Sequence, residues 1–245
     1  MSSKITELPD RIIPIKNADK KFHESWTKNR NILNIPHPYV FLAIGRPNCG
    51  KSTLILNIIV RADPKFKRIY LIHCDIENTK EYDELGDIIR LDEFPSPESW
   101  PNDGKKTLVI VDDVELKSKS KEQLKNLDRM CSYCSTHKNL SVIITSQDSF
   151  NIPSNIRRVC NVLNLWRPKD MDSMATISRK SGMKSKQLRA IFDQLMPNFR
   201  DSLMIDMTLY SPAPLRKNGY EVITQTSEGD ESRKINLTMD KFEID

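Results

Sequence analysis

The sequence predicts an α/β fold with a mainly parallel β-sheet, helices on both faces and peripheral C-terminal strands. Two observations lead to this prediction. Short apolar runs of strand length recur along the 245 residues, and segments with helical periodicity separate several of them. The first run, YVFLAIG, is almost continuously apolar, as is typical of a strand buried on both faces of a parallel sheet. Right-handed crossovers would place helices on both faces and ligands at the carboxyl ends of the strands.

We expect three parts along the chain. Residues 1–36 show no sustained apolar period and are predicted to form an N-terminal arm. Residues 37–210 carry the alternating strands and helices and form the predicted core. From Ser211 to Asp245, proline, glycine and charged residues dominate, which predicts a C-terminal hairpin or flexible tail.

Seven apolar runs of the core are predicted strands, and the segments between them contain the predicted helices. The strands are YVFLAIG, RIYLIHC, DIIRL, TLVIV, LSVIITS, NVLNLW and SLMIDMTL. The helices are STLILNIIVRA, KSKEQLKNLDRMCSYCSTHK, and residues 170–180 and 184–195. In the second of these helices, apolar residues recur at helical spacing opposite charged ones, so we expect an amphipathic crossover.

A phosphate-binding loop follows the first strand. Residues Gly45 to Ser52 match G-x-x-x-x-G-K-[ST] between a buried strand and a helix, which is the context that this motif requires. Its backbone N–H groups and the positive end of the helix would surround the phosphates of ATP, while Lys51 supplies charge and Ser52 binds Mg²⁺. The predicted nucleotide cradle consists of Gly45, Arg46, Pro47, Asn48, Cys49, Gly50, Lys51, Ser52 and Thr53.

Acidic and amide side chains follow two further strands. TLVIV ends in Asp112 and Asp113, and such a pair typically provides a carboxylate for Mg²⁺ and then a base for the attacking water. Asp113 could instead be a helix cap or a loop carboxylate. LSVIITS is followed by Gln147, which could hydrogen-bond the γ-phosphate or the water, or merely cap the strand.

The run RIYLIHC lies in the chain between the phosphate loop and the strand TLVIV, which ends before Asp112. We expect it to form an additional strand between the strand of the phosphate loop and the strand of Asp112. This arrangement resembles the RecA-like branch of the P-loop NTPases, whose members are largely ATP-driven motors.

A longer resemblance covers about residues 38–180. TSQDSFNIPSNIRR, followed by a strand and RPKDMDSMATI, resembles the FtsK/HerA superfamily. The short chain and the segment TSQDSFNIPSNIRR are most similar to those of the poxvirus-type genome-packaging ATPases of large DNA viruses and virophages. The resemblance implies that Gln147 is a sensor and that Arg157 or Arg158 acts as a finger in a neighbouring subunit's site. Either arginine could instead be a surface residue or a phosphodiester contact.

The resemblance also implies a function. Such relatives are ATP-driven translocases that package double-stranded viral DNA into a preformed capsid as homo-oligomeric rings. We therefore expect double-stranded DNA, capsid proteins and other copies of the chain, in a pentameric or hexameric ring, as partners. The expected location is the host cytoplasm at viral assembly sites, or the virion. Another FtsK/HerA-type DNA pump or helicase, a non-motor nucleotide switch or adaptor, and a nucleoside kinase are the alternatives.

The distribution of charge is compatible with DNA binding. The net charge of +5 is too small to identify a nucleic-acid-binding protein by itself. Between Asn151 and Arg216, however, 11 basic residues occur against 5 aspartates. Five basic residues with no acid among them are predicted DNA contacts: Arg179, Lys180, Lys184, Lys186 and Arg189. The alternative is an ordinary solvated helix face.

Cysteine usage and hydropathy indicate the cellular environment in which the protein is expected to work. The five cysteines are an odd number, and Cys49 lies inside the phosphate loop, so reduced thiols are expected. No apolar run approaches the roughly 18 residues that a membrane span needs, and the opening MSSKITELPD lacks the apolar region of a signal peptide. We expect an intracellular protein without a membrane span.

Overall fold

A computed structural model describes residues 30, 35–75, 77, 79–168, 170–208, 211–226 and 236–241. Ten strands form one sheet. They are β1 (Val40–Ile44), β2 (Arg68–Ile72), β3 (Ile88–Leu91), β4 (Thr107–Val111), β5 (Leu140–Ser146), β6 (Val162–Trp166), β7 (Ser202–Asp206), β8 (Leu215–Lys217), β9 (Glu221–Thr226) and β10 (Asn236–Lys241). Their order across the sheet is β10-β9-β8-β7-β6-β1-β5-β4-β2-β3.

Helices connect most of these strands. The α-helices are α1 (Lys51–Val60), α2 (Lys121–Arg129), α3 (Ser135–His137), α4 (Ser154–Val159), α5 (Met171–Ser181) and α6 (Ser185–Leu195). A π-helical segment, Met130–Cys134, joins α2 to α3. Short 3₁₀ segments cover Lys80–Leu85, Pro97–Ser99, Leu116–Ser118 and Ser149–Asn151.

The sheet is parallel over the six strands from β6 to β3 and antiparallel from β6 to β10. Each of the six parallel strands lies within one of the predicted apolar runs. The antiparallel strands extend the sheet at one edge. The predicted α/β, RecA-like architecture with a mainly parallel sheet is therefore confirmed.

The identity of the additional strand differs from the prediction. β5 pairs with both β1 and β4, so it separates the strand of the phosphate loop from the strand of Asp112. The run RIYLIHC forms β2, which lies on the far side of β4, and its predicted position was wrong. Every residue of β5 is buried, whereas Arg68 and Tyr70 of β2 are partly exposed. The more completely buried strand takes the central position, where helices cover both of its faces.

Side chains of β1 alternate between two apolar layers. Val40 and Leu42 pack with buried residues of α2, α4, α5 and α6 on one face of the sheet. Phe41 and Ala43 pack with three isoleucines of α1 on the other face. Helices therefore cover both faces, and the carboxyl ends of the parallel strands remain free for a site at one edge.

The three-part division of the chain stays a prediction. Residues 1–29 and 31–34 of the predicted arm lie outside the described residues, as do 209–210, 227–235 and 242–245. Arg30, which is described, donates from Nη1 to Asp206 Oδ2 at 2.6 Å. No helix of the described ranges is long and apolar enough to cross a membrane.

Candidate functional site

The phosphate loop connects β1 to α1 through a tight turn that depends on its two glycines. A Cβ atom at Gly45 would lie 2.6 Å from Cys49 Sγ and 2.7 Å from Trp166 Cε3, so no larger residue fits there. Gly50 has a φ of +110°, which L side chains rarely adopt. The Gly45 N–H donates to Ser146 O at 3.0 Å and thereby fixes the start of the loop to the end of β5.

The first turn of α1 has the features of an anion site. Gly50 precedes it without any side-chain capping hydrogen bond, and the turn contains no acidic residue. Its N–H groups and the positive helix end therefore point toward the loop. Lys51 Nζ donates to Gly45 O at 2.9 Å and to Arg46 O at 3.1 Å, which holds the ammonium group against the loop.

Asp112 lies at the carboxyl end of β4 and is 7% exposed. Both of its carboxylate oxygens accept hydrogen bonds. Thr145 Oγ1 donates to Oδ1 at 2.6 Å, and the Tyr82 hydroxyl donates to Oδ2 at 2.9 Å. Two neighbouring elements, β5 and the 3₁₀ segment Lys80–Leu85, therefore fix the orientation of this carboxylate.

Asp113 adopts a left-handed conformation with a φ of 49°, which aspartate tolerates better than most residues. Its N–H donates to Thr145 Oγ1 at 2.8 Å. Its exposed carboxylate accepts a hydrogen bond from Gln147 Nε2 at 2.6 Å. The predicted base and the predicted sensor are thus in direct contact, although their roles stay predictions.

The donor groups fit a magnesium ion. Ser52 lies in the first turn of α1, and Asp112 lies at the carboxyl end of β4, whose neighbour β5 is joined to the start of the loop by the hydrogen bond from the Gly45 N–H to Ser146 O. A hydroxyl and a carboxylate are the hard oxygen ligands that Mg²⁺ prefers, and it usually keeps several waters besides. Ser52 and Asp112 would hold the ion, which would neutralise charge on the β- and γ-phosphates.

Two cavities adjoin the loop. The larger one, of about 780 Å³, is lined by residues 48–54 and, opposite them, by Trp166, Arg200, Asn218 and Tyr220. The smaller one, of about 280 Å³, is lined by Gly45, Arg46 and Pro47 together with Gln147. The larger volume falls in the range of about 300–1,000 Å³ that is typical of ligand pockets.

The structure distinguishes the two candidate arginines. Arg157 Nη1 donates to Ser149 O at 2.7 Å and to Ile152 O at 2.5 Å, so its guanidinium holds the segment that follows Gln147. The Arg158 side chain is exposed and makes no hydrogen bond or ion pair within the described part of the chain.

The predicted DNA contacts lie on α5, on α6 and in the turn between them. Lys180 Nζ donates to the backbone oxygen of Arg158 at 3.0 Å, and Arg189 Nε lies 3.7 Å from Asp193 Oδ2. The other three, Arg179, Lys184 and Lys186, are exposed, and none of them has a side-chain partner among the described residues. The positive charges of these three side chains are therefore available to bind a polyanion such as DNA.

Sequence patterns did not identify Thr145, Tyr82 or the far wall of the larger cavity. Thr145 is an ordinary strand residue by type, and only its position one residue before the strand's end indicates the site. Tyr82 lies in a short 3₁₀ segment that has no periodicity or motif. Burial, followed by the nearby charge of Asp112, raises the pKa of Tyr82, so its hydroxyl stays protonated and donates.

Comparison with known proteins identifies relatives of the fold. No protein-family model and no curated protein matches the chain. The genome packaging NTPase B204 of Sulfolobus turreted icosahedral virus 2, in complex with ATP-gammaS, has 17% identity and a TM-score of 0.54, covering 70% of this chain and 93% of that one. Its sulfate complex gives 14% identity and a TM-score of 0.57, covering 75% and 96%.

A second kind of relative is the pCW3 conjugation coupling protein TcpA in complex with ATPgS. It has 15% identity and a TM-score of 0.50, and the match covers 74% of this chain and 59% of that one. Both likenesses agree with the resemblance to FtsK/HerA proteins and with the RecA-like sheet. The chain therefore shares its fold with these two nucleotide-binding proteins.

Proposed function

We propose that this protein is an ATPase that couples hydrolysis to the translocation of double-stranded DNA. One observation carries the enzymatic part of the proposal. Asp112 and Asp113 are held by a single hydroxyl, that of Thr145, and Gln147 contacts Asp113 beside the phosphate loop. A protein that only bound nucleotide would not need an exposed carboxylate fixed in this way.

The residues divide the chemistry among them. Lys51 supplies positive charge to the transferring phosphoryl group, and Asp112 with Ser52 holds the magnesium ion. Asp113 accepts a proton from the attacking water, and the Gln147 amide orients Asp113 and the water. Gln147 also lines the smaller cavity together with Gly45, which supports the proposal that its amide acts near the γ-phosphate.

The larger cavity supports a nucleoside site. It begins at the first turn of α1 and continues to Trp166 and Tyr220, so a nucleotide with its phosphates in the loop has room for ribose and base there. ATP is the proposed nucleotide because two proteins of the same fold were solved with ATP analogues.

The proposal of a DNA motor is supported by the kinds of protein that share the fold, a viral genome packaging NTPase and a conjugation coupling protein. It is also supported by the exposed cations Arg179, Lys184 and Lys186, whose side chains have no partner in the part of the chain that the structure describes. The finer proposal follows the resemblance to poxvirus-type packaging ATPases. In it, a pentameric or hexameric ring packages viral DNA into a preformed capsid, with capsid proteins as partners, at assembly sites in the host cytoplasm or in the virion.

The test measures ATPase rate with and without double-stranded DNA. We expect DNA to stimulate the wild type and Lys51→Ala to lose at least about 100-fold in turnover, because the loop loses its only lysine. Reversal of the three free charges, Arg179→Glu/Lys184→Glu/Lys186→Glu, should abolish stimulation and keep basal turnover. It should also weaken DNA binding and reduce its salt dependence, since fewer counterions are released.

A second triple variant controls for net charge. Lys117→Glu/Lys119→Glu/Lys121→Glu reverses as many charges from the 3₁₀ segment Leu116–Ser118 to the first residue of α2, and it should stay DNA-stimulated. If both triple variants lose DNA stimulation equally, the effect of DNA depends on the net charge of the protein and not on this surface. ATP binding without turnover in the wild type would instead indicate a nucleotide switch.

A further inference from the structure

We propose that Tyr82 is a positioning residue for the magnesium site, acting through the hydrogen bond that its hydroxyl donates to Asp112. The inference rests on the proposed ATPase function and concerns a residue outside all the sequence motifs. Tyr82 is fully buried, yet its hydroxyl donates to Asp112 Oδ2 at 2.9 Å. Its polar atom therefore contacts the carboxylate that would bind the ion.

The phenol constrains Asp112 from the side opposite Thr145. With Thr145 Oγ1 on Oδ1 and Tyr82 on Oδ2, rotation of the carboxylate breaks at least one hydrogen bond in a nearly dry environment. Each oxygen keeps a second lone pair for the ion or for its bound water. Residues that orient a metal-binding carboxylate in this way typically contribute 10- to 100-fold to metal affinity or activity.

Residue Tyr82 is itself held in place by its neighbours. Its backbone N–H donates to Thr79 O at 3.1 Å, and Thr79 Oγ1 accepts from Arg90 Nε of β3 at 3.1 Å. Arg90 also pairs with Asp83 of the same 3₁₀ segment. The ring packs with Ile55 and other residues of α1, so the hydroxyl is presented from a fixed position between α1 and β4.

The experiment compares Tyr82→Phe with Tyr39→Phe. Tyr39 belongs to the same apolar layer and is 2% exposed, but its hydroxyl has no partner among the described residues. Each change removes one buried hydroxyl and keeps the ring, and thermal unfolding reports whether the fold is kept. The dissociation constant of a fluorescent ATP analogue is then measured in MgCl₂ and in EDTA.

We expect Tyr82→Phe to weaken binding about tenfold in MgCl₂ and to leave binding in EDTA unchanged, while Tyr39→Phe changes neither. Equal weakening in both conditions would show that Tyr82 only shapes the cleft, and unchanged binding in MgCl₂ would show that its hydroxyl positions nothing. Either result overturns the inference.

A double variant tests whether the effect passes through Asp112. In an Asp112→Asn background, Tyr82→Phe should cause no further loss of Mg²⁺-dependent binding, because coupled residues are not additive. A full tenfold loss in that background would overturn the inference. A wild type that binds the analogue with Mg²⁺ but never hydrolyses ATP would contradict the motor, and the role of Tyr82 in Mg²⁺ binding would stand.

Discussion

The Thr145 hydroxyl joins the two aspartates of the site. It donates to Asp112 and accepts from the Asp113 N–H, so it uses its one hydrogen and one lone pair in a single bridge. The register of the sheet explains the contact. Val111 of β4 lies opposite Ile144 of β5, and the next residue of each strand is therefore a neighbour at the carboxyl edge.

Asp113 can be tested as the base by a change that keeps its shape. We expect Asp113→Asn to lower turnover by about 10²-fold or more, because an amide cannot accept the proton of the attacking water. Binding of MgATP should change little, since Asp112 and Ser52 remain. Steady-state ATPase assays and nucleotide titrations separate the two effects. Asp92→Asn, at an exposed aspartate outside the site, is the control, and full turnover in Asp113→Asn would assign the base elsewhere.

At the level of elements, local sequence patterns predicted which residues form strands, but they did not predict which strands lie next to each other in the sheet. The strand-length run LSVIITS, with three consecutive β-branched apolar residues, predicts a buried strand, and β5 covers all seven of its residues. Which strands flank it depends on long-range packing, which no local pattern carries. The same limit applies to Tyr82, whose role exists only because a loop after β2 reaches the end of β4.

The turn between β8 and β9 is an element whose importance the composition did not indicate. The predicted tail includes Asn218 and Tyr220, and both line the larger cavity opposite α1. Trp166, the last residue of β6, lines it as well. Tyr220 is 44% exposed, so its ring is available to stack on the π face of a nucleobase.

We therefore expect Tyr220→Ala to weaken ATP-analogue binding about tenfold, the loss of roughly one stacking contact. Tyr133→Ala is the matched control, because Tyr133 is 45% exposed, compared with 44% for Tyr220, and lies outside the cavity. Isothermal titration with ATP and with inorganic triphosphate gives a further check. Triphosphate has no base, so its affinity should be the same in Tyr220→Ala and the wild type. A loss with triphosphate would contradict the stacking role.

The whole molecule explains why the motif residues could be predicted and the arginines could not be separated. Parallel strands bring their carboxyl ends to one edge, so Asp112, Asp113 and Gln147 had to converge near the phosphate loop once the strands were recognised. Arg157 and Arg158 are adjacent in α4, and type alone does not distinguish them. Their contacts do, because Arg157 is bound to carbonyl groups of its own chain.

That difference leads to a prediction about assembly. The exposed Arg158 is free to enter a neighbouring subunit's site, where an arginine supplied in trans is worth about 10³- to 10⁵-fold in rate in other NTPases. Arg157 would act within its own subunit by holding the segment after Gln147. Both Arg157→Ala and Arg158→Ala should therefore lose turnover, but for different reasons.

Mixing inactive subunits separates the two reasons. In a mixture of Lys51→Ala and Arg158→Ala subunits, some interfaces pair an intact phosphate loop with an intact Arg158, so activity should reappear. In a mixture of Lys51→Ala and Arg157→Ala subunits, no subunit has both an intact loop and an intact Arg157, so activity should stay absent. Solution mass confirms co-assembly in each mixture. Recovery only in the Arg157→Ala mixture would exchange the two roles, and recovery in neither, despite co-assembly, would exclude an arginine acting in trans from α4.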